Sequence, residues 1–374
     1  MGQADGISAA ARAKQVIAMS DMGLRVSQFL AELLKVMRMG AFALLFIAGP
    51  TDARTMTTPR IDQMFATTKP VCFGRFVMDV PVSATVVPGS QAFGPNIESL
   101  PNDVKSLARR AKAKRDEVQA RALTKSKAEV ISFVTGPTPG SWLLSYWEDK
   151  IAKKVELQNI TGFLAAGPHG FIYPDQTGDE ETPNDVLKNI TYVATHLRAR
   201  DPNEVPTDPG VCLDVGFIAD DSGKFQEIFG IGLRFPELPD ASFSVSSNKD
   251  AQQGDSFEDR RAEAKRAAFM VAPLATLFNK VKTLREGHLK VQQGQGSEAL
   301  FRRPMEEGDG HWHEFQFEYT GKQFDHRNPS WDASLFTGIN HDQAGAKPSS
   351  LTDAEAVALW DRLMASVRLR VPSK

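Results

Sequence analysis

The thirteen residues RARDPNEVPTDPG, Arg198 to Gly210, decide how the rest of the chain is read. Three prolines, one glycine and five charges leave no apolar periodicity for a helix or a strand. The stretch therefore reads as a short, stiff linker between two folded halves. Just before it, Thr182 starts a helix with Pro183 at the first helical position and Asp185 three residues after the cap. Val186, Leu187, Ile190, Val193, Ala194 and Leu197 form its apolar stripe. Just after it, Val211–Ala219, Lys224–Phe235 and Ala241–Ser247 are rich in aromatic and branched residues and read as strands.

Further out, the same signals repeat in each half. A helix from about Asp103 to Lys127 has a weak apolar face of Val104, Leu107, Ala108, Ala111 and Val118. Another starts near Ser256 with Asp259 at the capping position, and carries Met270, Leu274, Leu277, Phe278, Val281 and Leu284 past a kink or break at Pro273. The last runs from Thr352, with Glu355 completing a capping box, and buries Val357, Trp360, Leu363, Met364 and Val367. Val71–Val80, Ser141–Trp147, Lys153–Ala166, His311–Thr320 and Ser366–Val371 read as strands. The expected fold is α+β, with two domains, each a mainly antiparallel sheet with two helices. Residues 54–203 make the N-terminal domain and residues 204–374 the C-terminal domain, each large enough to own a core.

Residues 1–53 read as an extension and a signal peptide. The apolar run Met39 to Gly49 is shorter than the roughly 20 residues a membrane span needs. With Lys35 and Arg38 before it and Pro50-Thr51-Asp52-Ala53 after it, it fits a secretory leader cut after Ala53. Met37-Arg38-Met39 is then the expected start, and the residues before it are an artefact of start-codon choice. Their competitor is a buried amphipathic hairpin, with Val26, Phe29, Leu30, Leu33 and Leu34 at helical spacing.

Composition excludes several classes of function. Of 374 residues, 41% are hydrophobic and 24% charged, which is too core-forming for a disordered chain. A net charge of −2 gives no global attraction to nucleic acid or anionic membrane. Two cysteines, Cys72 and Cys212, are too few for a disulfide-built scaffold or a cysteine-only zinc site. In an oxidising compartment they can bridge; two independent buried thiols fit the sequence equally well.

Chemistry-bearing constellations are sparse. His311 and His313 share one strand face, and with Glu318 they suggest a metal site, but Glu318 has the opposite parity and points away. No nucleophile elbow, phosphate loop or dinucleotide fingerprint is present, and Asp325-His326 and His341-Asp342 are neighbours of the kind that satisfy turns. No catalytic residue, metal or cofactor is therefore expected. Two charged features suggest surfaces instead. The first helix carries Lys105, Arg109, Arg110, Lys112, Lys114, Arg115, Arg121, Lys125 and Lys127, and the loop around Asp175, Asp179, Glu180, Glu181 and Asp185 is acidic. Most such faces are simply solvated; opposite patches on one molecule can also steer a charged partner. The helix lacks large apolar residues to insert into a membrane.

The stretch Val71-Cys72-Phe73-Gly74-Arg75-Phe76-Val77-Met78-Asp79-Val80-Pro81, and Pro209-Gly210-Val211-Cys212-Leu213-Asp214-Val215-Gly216-Phe217-Ile218 in the second half, carry a resemblance. Both look like segments of the cognate immunity proteins of type VI secretion lipase effectors, the fourth type, from about Thr67 to the carboxyl end. The resemblance implies a two-domain periplasmic protein without enzymatic activity. Such a protein binds an incoming phospholipase toxin of the α/β-hydrolase type and occludes its active site. The contact surface would lie near the junction of the lobes. Asp175, Asp179, Glu180 and Glu181 in the first domain and the loop residues Trp331, Phe336 and His341 in the second are the expected partner-binding residues. Neither nucleic acid nor stable membrane insertion is implied. Two other classes compete: a periplasmic metal-dependent enzyme using His311 and His313, and an envelope lipid- or glycan-binding module using Trp142 and Trp147. Those tryptophans read more simply as strand-core residues.

Overall fold

In the computed structural model, which describes residues 58–178, 180–252, 254–270, 280–305, 310–339 and 347–370, helix α1 (Pro59–Met64) leads into a hairpin of β1 (Thr68–Phe73) and β2 (Phe76–Pro81). Strands β3 (Thr85–Phe93) and β4 (Glu98–Leu100) follow, then α2 (Leu107–Ala122). The next segment holds β5 (Glu129–Thr135), β6 (Trp142–Trp147), the short α3 (Lys150–Lys154), β7 (Asn159–Ala166), β8 (His169–Gln176), α4 (Pro183–His196) and β9 (Leu197–Ala199). Past the linker come β10 (Gly210–Cys212), β11 (Gly216–Ala219), β12 (Glu227–Phe235), β13 (Leu238–Asn248) and α5 (Phe257–Phe269). The chain closes with β14 (Lys282–Val291), β15 (Gly294–Pro304), β16 (His311–Tyr319), β17 (Ser330–Phe336), α6 (Asp353–Ser366) and β18 (Arg368–Leu369). Two compact units result. The described residues of 56–254 and 281–374 hold four sheets; α5 belongs to the other unit. The leader, the region of Pro273, Asp179 and His341 lie outside the described residues.

Every strand pairing among the described residues is antiparallel, so the α+β expectation stands. A five-stranded sheet, ordered β4-β8-β7-β6-β5, lies within the N-terminal half. On it, Ile160 and Leu164 of β7 join the core that takes Val186, Ile190 and Val193 of α4, while Phe163 joins the core that takes Leu107, Ala111 and Val118 of α2. This is the period-two alternation of a strand covered on both faces. The seven-stranded sheet runs β14-β15-β16-β17-β13-β12-β3. The Trp360 ring of α6 meets Phe243 and Phe315 edge-on at 6.1 and 6.0 Å, and its indole N–H donates to Glu298 at 3.0 Å.

Strands cross the 203/204 point. β3 closes the edge of the seven-stranded sheet against β12, β18 pairs with β2, and β9 pairs with β11. One large core therefore draws residues from both halves, where separate cores were expected. Both threonine caps form as read: Thr182 with Asp185 and Thr352 with Glu355 make reciprocal capping boxes. Other expectations need correction. Val71–Val80 is two strands, because Gly74 sits at φ +50 in a turn. Val211–Ala219 likewise splits into β10 and β11. Lys153 and Lys154 belong to α3, so the strand starts only at Asn159. The helix from Ser256 ends at Phe269, and Leu284 lies in β14. The last helix continues to Ser366 and leaves a two-residue strand. Ala108 faces solvent. Among the described residues no helix is long and apolar enough to cross a membrane.

Candidate functional site

The two cysteine-bearing motifs meet. Cys72 of β1 and Cys212 of β10 form a disulfide across 140 residues of sequence, and Gly74 and Cys212 exchange backbone hydrogen bonds of 2.9 and 2.8 Å. Gly74 is required here on two counts: its φ is positive, and a Cβ would come within 2.8 Å of the Phe229 side chain.

Arg75, the next residue, is buried among carboxylates. Its Nε and Nη2 donate to the two Glu227 oxygens at 2.7 Å each, and Nη2 also reaches Asp220 at 3.0 Å. Tyr192 and Ser222 donate to the other Asp220 oxygen at 2.8 and 2.7 Å. Burial opposes the Arg75 charge, yet the bonds and charges of Glu227 and Asp220 outweigh it and raise the guanidinium pKa. Burial likewise pushes Asp220 up, and its hydrogen bonds from Ser222 and Tyr192 with the Arg75 charge hold it below the ordinary carboxylate value. Residues from both sides of the linker make this cluster.

The linker itself is strapped by two more arginines. Arg200 Nη1 donates to the carbonyls of Asp201, Pro202 and Glu204 at 2.9, 3.1 and 2.8 Å. Its Nη2 donates to Leu213 and Asp214 at 2.8 and 3.0 Å. Arg370 Nη1 donates to Pro206 and Asp208 carbonyls at 2.6 Å each, and its guanidinium stacks on the Phe217 ring at 5.1 Å. Burial lowers the pKa of both, that of Arg370 to about 10. Beside this junction lies a cavity of about 420 Å³, bounded by Lys69, Val86, Gln91, Asn203, Asp214 and Ile231 among others. Its lining offers donors, acceptors and apolar walls but no histidine beside a nucleophile. Such a place can hold a partner's side chain or segment. Sequence reasoning quoted Arg75 as a marker without a role and missed Arg200 and Arg370; the only signal was the arginine inside the Gly-Arg-Phe motif.

The expected contact residues fare unequally. Asp175 is half-buried at the end of β8, and burial, with a smaller push from Glu181, raises its pKa to about 6. Glu180 and Glu181 are exposed beside the start of α4. Trp331 must be withdrawn as a contact: it lies in β17, not in a loop, and is 2% exposed, with its ring 4.5 Å from that of Phe317. Phe336 is also a strand residue, half-buried. Trp142 and Trp147 are half-buried strand residues, and Trp142 packs against the α2 core, stacking on Phe133 at 5.2 Å.

His311 and His313 gather a third group, and it is Asp353 rather than Glu318; their ligand atoms lie within 4.8 Å of one another. His313 is fully buried, with Nδ1 2.7 Å from Thr337 Oγ1 and Nε2 3.1 Å from Asp353 Oδ1. Burial lowers its pKa despite Asp353. A divalent ion here would also face Lys282 and Arg302, which lie 2.9 and 3.6 Å from the other Asp353 oxygen. The cluster reads as a polar pin between β16 and the first turn of α6.

Comparison with known proteins matches both halves. The model of the Tle cognate immunity protein 4 N-terminal domain matches residues 69–200, and that of the C-terminal domain of the same family matches residues 204–372. Among solved structures, the chain is similar to the apo immunity protein TplEi of the type VI secretion system from Pseudomonas aeruginosa. Identity is 25%, with 82% of this chain and 98% of that chain covered and a TM-score of 0.66. A structure of the Tle4–Tli4 complex aligns at 26% identity over 82% of this chain and 98% of that one, with a TM-score of 0.69. TplEi complexed with "L" peptide aligns at 26% identity over 82% and 99%, with a TM-score of 0.63. No curated protein sequence matches the chain.

Proposed function

Because the chain belongs to the Tle cognate immunity protein 4 family, we propose that it neutralises a cognate type VI secretion phospholipase of the α/β-hydrolase type in the periplasm. It does so by covering the enzyme's active site and performs no reaction of its own. The observation that carries this reading is the likeness to a Tle4–Tli4 complex over 82% of the chain, across both halves. The buried Arg75 cluster and the strapped linker support it, because an inhibitor needs a scaffold that loses little entropy on binding. The Cys72–Cys212 disulfide agrees with an oxidising compartment, as does the leader read in residues 37–53. In this reading residues 54–203 and 204–374 are two lobes that grip the toxin together. Asp175, Asp179, Glu180 and Glu181, with Phe336 and His341, contribute to the gripping surface.

The test is co-expression of a candidate type VI secretion phospholipase, directed to the periplasm, with and without this chain. Cells survive only with it, and the purified pair co-elutes. Equal killing in both cases, or turnover of lipid by this chain alone, overturns the proposal.

A further inference from the structure

Leu123 is 88% exposed, more than any other large hydrophobic among the described residues. It follows directly on the end of α2, and two more exposed aliphatics lie near one another in sequence, Ile151 at 70% on α3 and Val155 at 62% as the residue that caps its C-terminus. Val155 N–H donates to Ile151 O at 3.0 Å, so these two stand one turn apart on a single face, while Ala152 turns inward and is buried. The end of α2 and α3 are tied together: Lys150 N–H donates to Ser126 O at 3.2 Å, and Arg121 pairs with Glu148.

The charges around these side chains are unbalanced. Glu129 is engaged by Lys153, Glu117 by Lys114, and Asp149 accepts from Ala152 N–H at 2.7 Å as the cap of α3. Lys125, Lys127, Lys150 and Lys154 are exposed and make no ion pair among the described residues, with Glu156 the nearby acid left over. Protein interfaces are depleted in lysine, whose long chain loses entropy on docking, whereas aliphatic tips set among lysines suit the surface of an anionic bilayer. The aliphatics missing from α2 itself are supplied by the turn after it and by α3.

We propose that this end of the molecule docks on anionic phospholipid, with Leu123, Ile151 and Val155 entering the headgroup–acyl boundary and the four lysines facing the phosphates. Docking concentrates the chain on the surface that a phospholipase attacks. That benefit rests on the proposed function; the binding itself does not.

The test is sedimentation of the full chain with vesicles of phosphatidylglycerol and phosphatidylethanolamine, against vesicles of phosphatidylcholine alone. Binding is expected to the first only and to weaken as salt rises. Lys150→Gln with Lys154→Gln should lower partitioning about thirtyfold, and Leu123→Asp with Ile151→Asp should abolish it without changing the melting temperature. Every variant carries the same residues 1–57, so any contribution of the run Met39 to Gly49 cancels. Binding that ignores lipid charge, or that survives Leu123→Asp with Ile151→Asp, overturns the proposal. Loss of lipase inhibition in detergent solution by that variant assigns the patch to the protein partner and overturns it as well. A wild-type chain that binds vesicles but inhibits no lipase leaves this proposal standing and removes only the immunity reading.

Discussion

Arg75 and Arg200 are 8% and 4% exposed and stand on either side of the same junction, yet they are solvated in opposite ways. Arg75 meets two carboxylates, and its charge is favoured. Arg200 meets carbonyl oxygens from residues 201–204 and 213–216, with no carboxylate bonded among the described residues, and burial disfavours its charge. The first arrangement joins side chains far apart in sequence by charge. The second recognises a backbone path, because a planar fork satisfies several carbonyls only when they converge. One clasp sets which elements meet; the other sets the shape of the linker between them.

The comparison breaks most visibly at Arg75. Arg75→Ala leaves Glu227 and Asp220 buried without a cation, which should cost about 3–5 kcal/mol of stability in urea unfolding. A loss under about 1 kcal/mol would mean that water or another donor takes over, and the contrast with Arg200 would collapse. The carbonyl clasp should answer more to shape than to charge. Arg200→Lys keeps the charge but not the fork, so it should cost about 2 kcal/mol and speed proteolysis within residues 201–209. If Arg200→Lys is as damaging as Arg75→Ala, the guanidinium is acting as more than a set of donors.

The same contrast governs what the sequence discloses. The Thr182–Asp185 and Thr352–Glu355 boxes are legible because both partners lie within one turn. Strand β16 is legible because its alternation survives any choice of neighbour. Strand β3 is not: Thr85–Phe93 contains Pro88 and Gly89, and it becomes a strand only because β12 pairs with it through a register shift between Phe229 and Ile231. Trp331 follows Asn328-Pro329-Ser330 and looks like a loop residue, yet Phe76 and Phe317 bury it. Asp353 joins the His311–His313 pair from forty residues away, where Glu318 was the only candidate that local parity could judge. The arginine clasps fall in the same class, since nothing local marks six convergent carbonyls.

The smallest effect tests the charge side of the comparison in wild-type geometry. Asp175 is a half-buried carboxylate that, among the described residues, bonds no cation and accepts the N–H of Gln176 at 2.9 Å, and its pKa stands at about 6 against an ordinary 3.8. Asp220, buried with Arg75 beside it, is shifted the other way. Between about pH 4 and 6 the folded chain therefore holds a proton at Asp175 that the unfolded chain has released. The Asp175 contribution to stability is best below pH 4, declines through that window and is flat above it. Asp220 behaves inversely, its contribution present above its unfolded pKa and lost as the pH falls through its folded one. Asp175→Asn should therefore stabilise the chain by about 1 kcal/mol at neutral pH, after allowance for its partial exposure, and by nothing near pH 4. Thermal unfolding of wild type and variant at both pH values reads the difference. A variant less stable at neutral pH would mean that the Asp175 charge has a favourable partner, and that the molecule tolerates no carboxylate, buried or half-buried, without one.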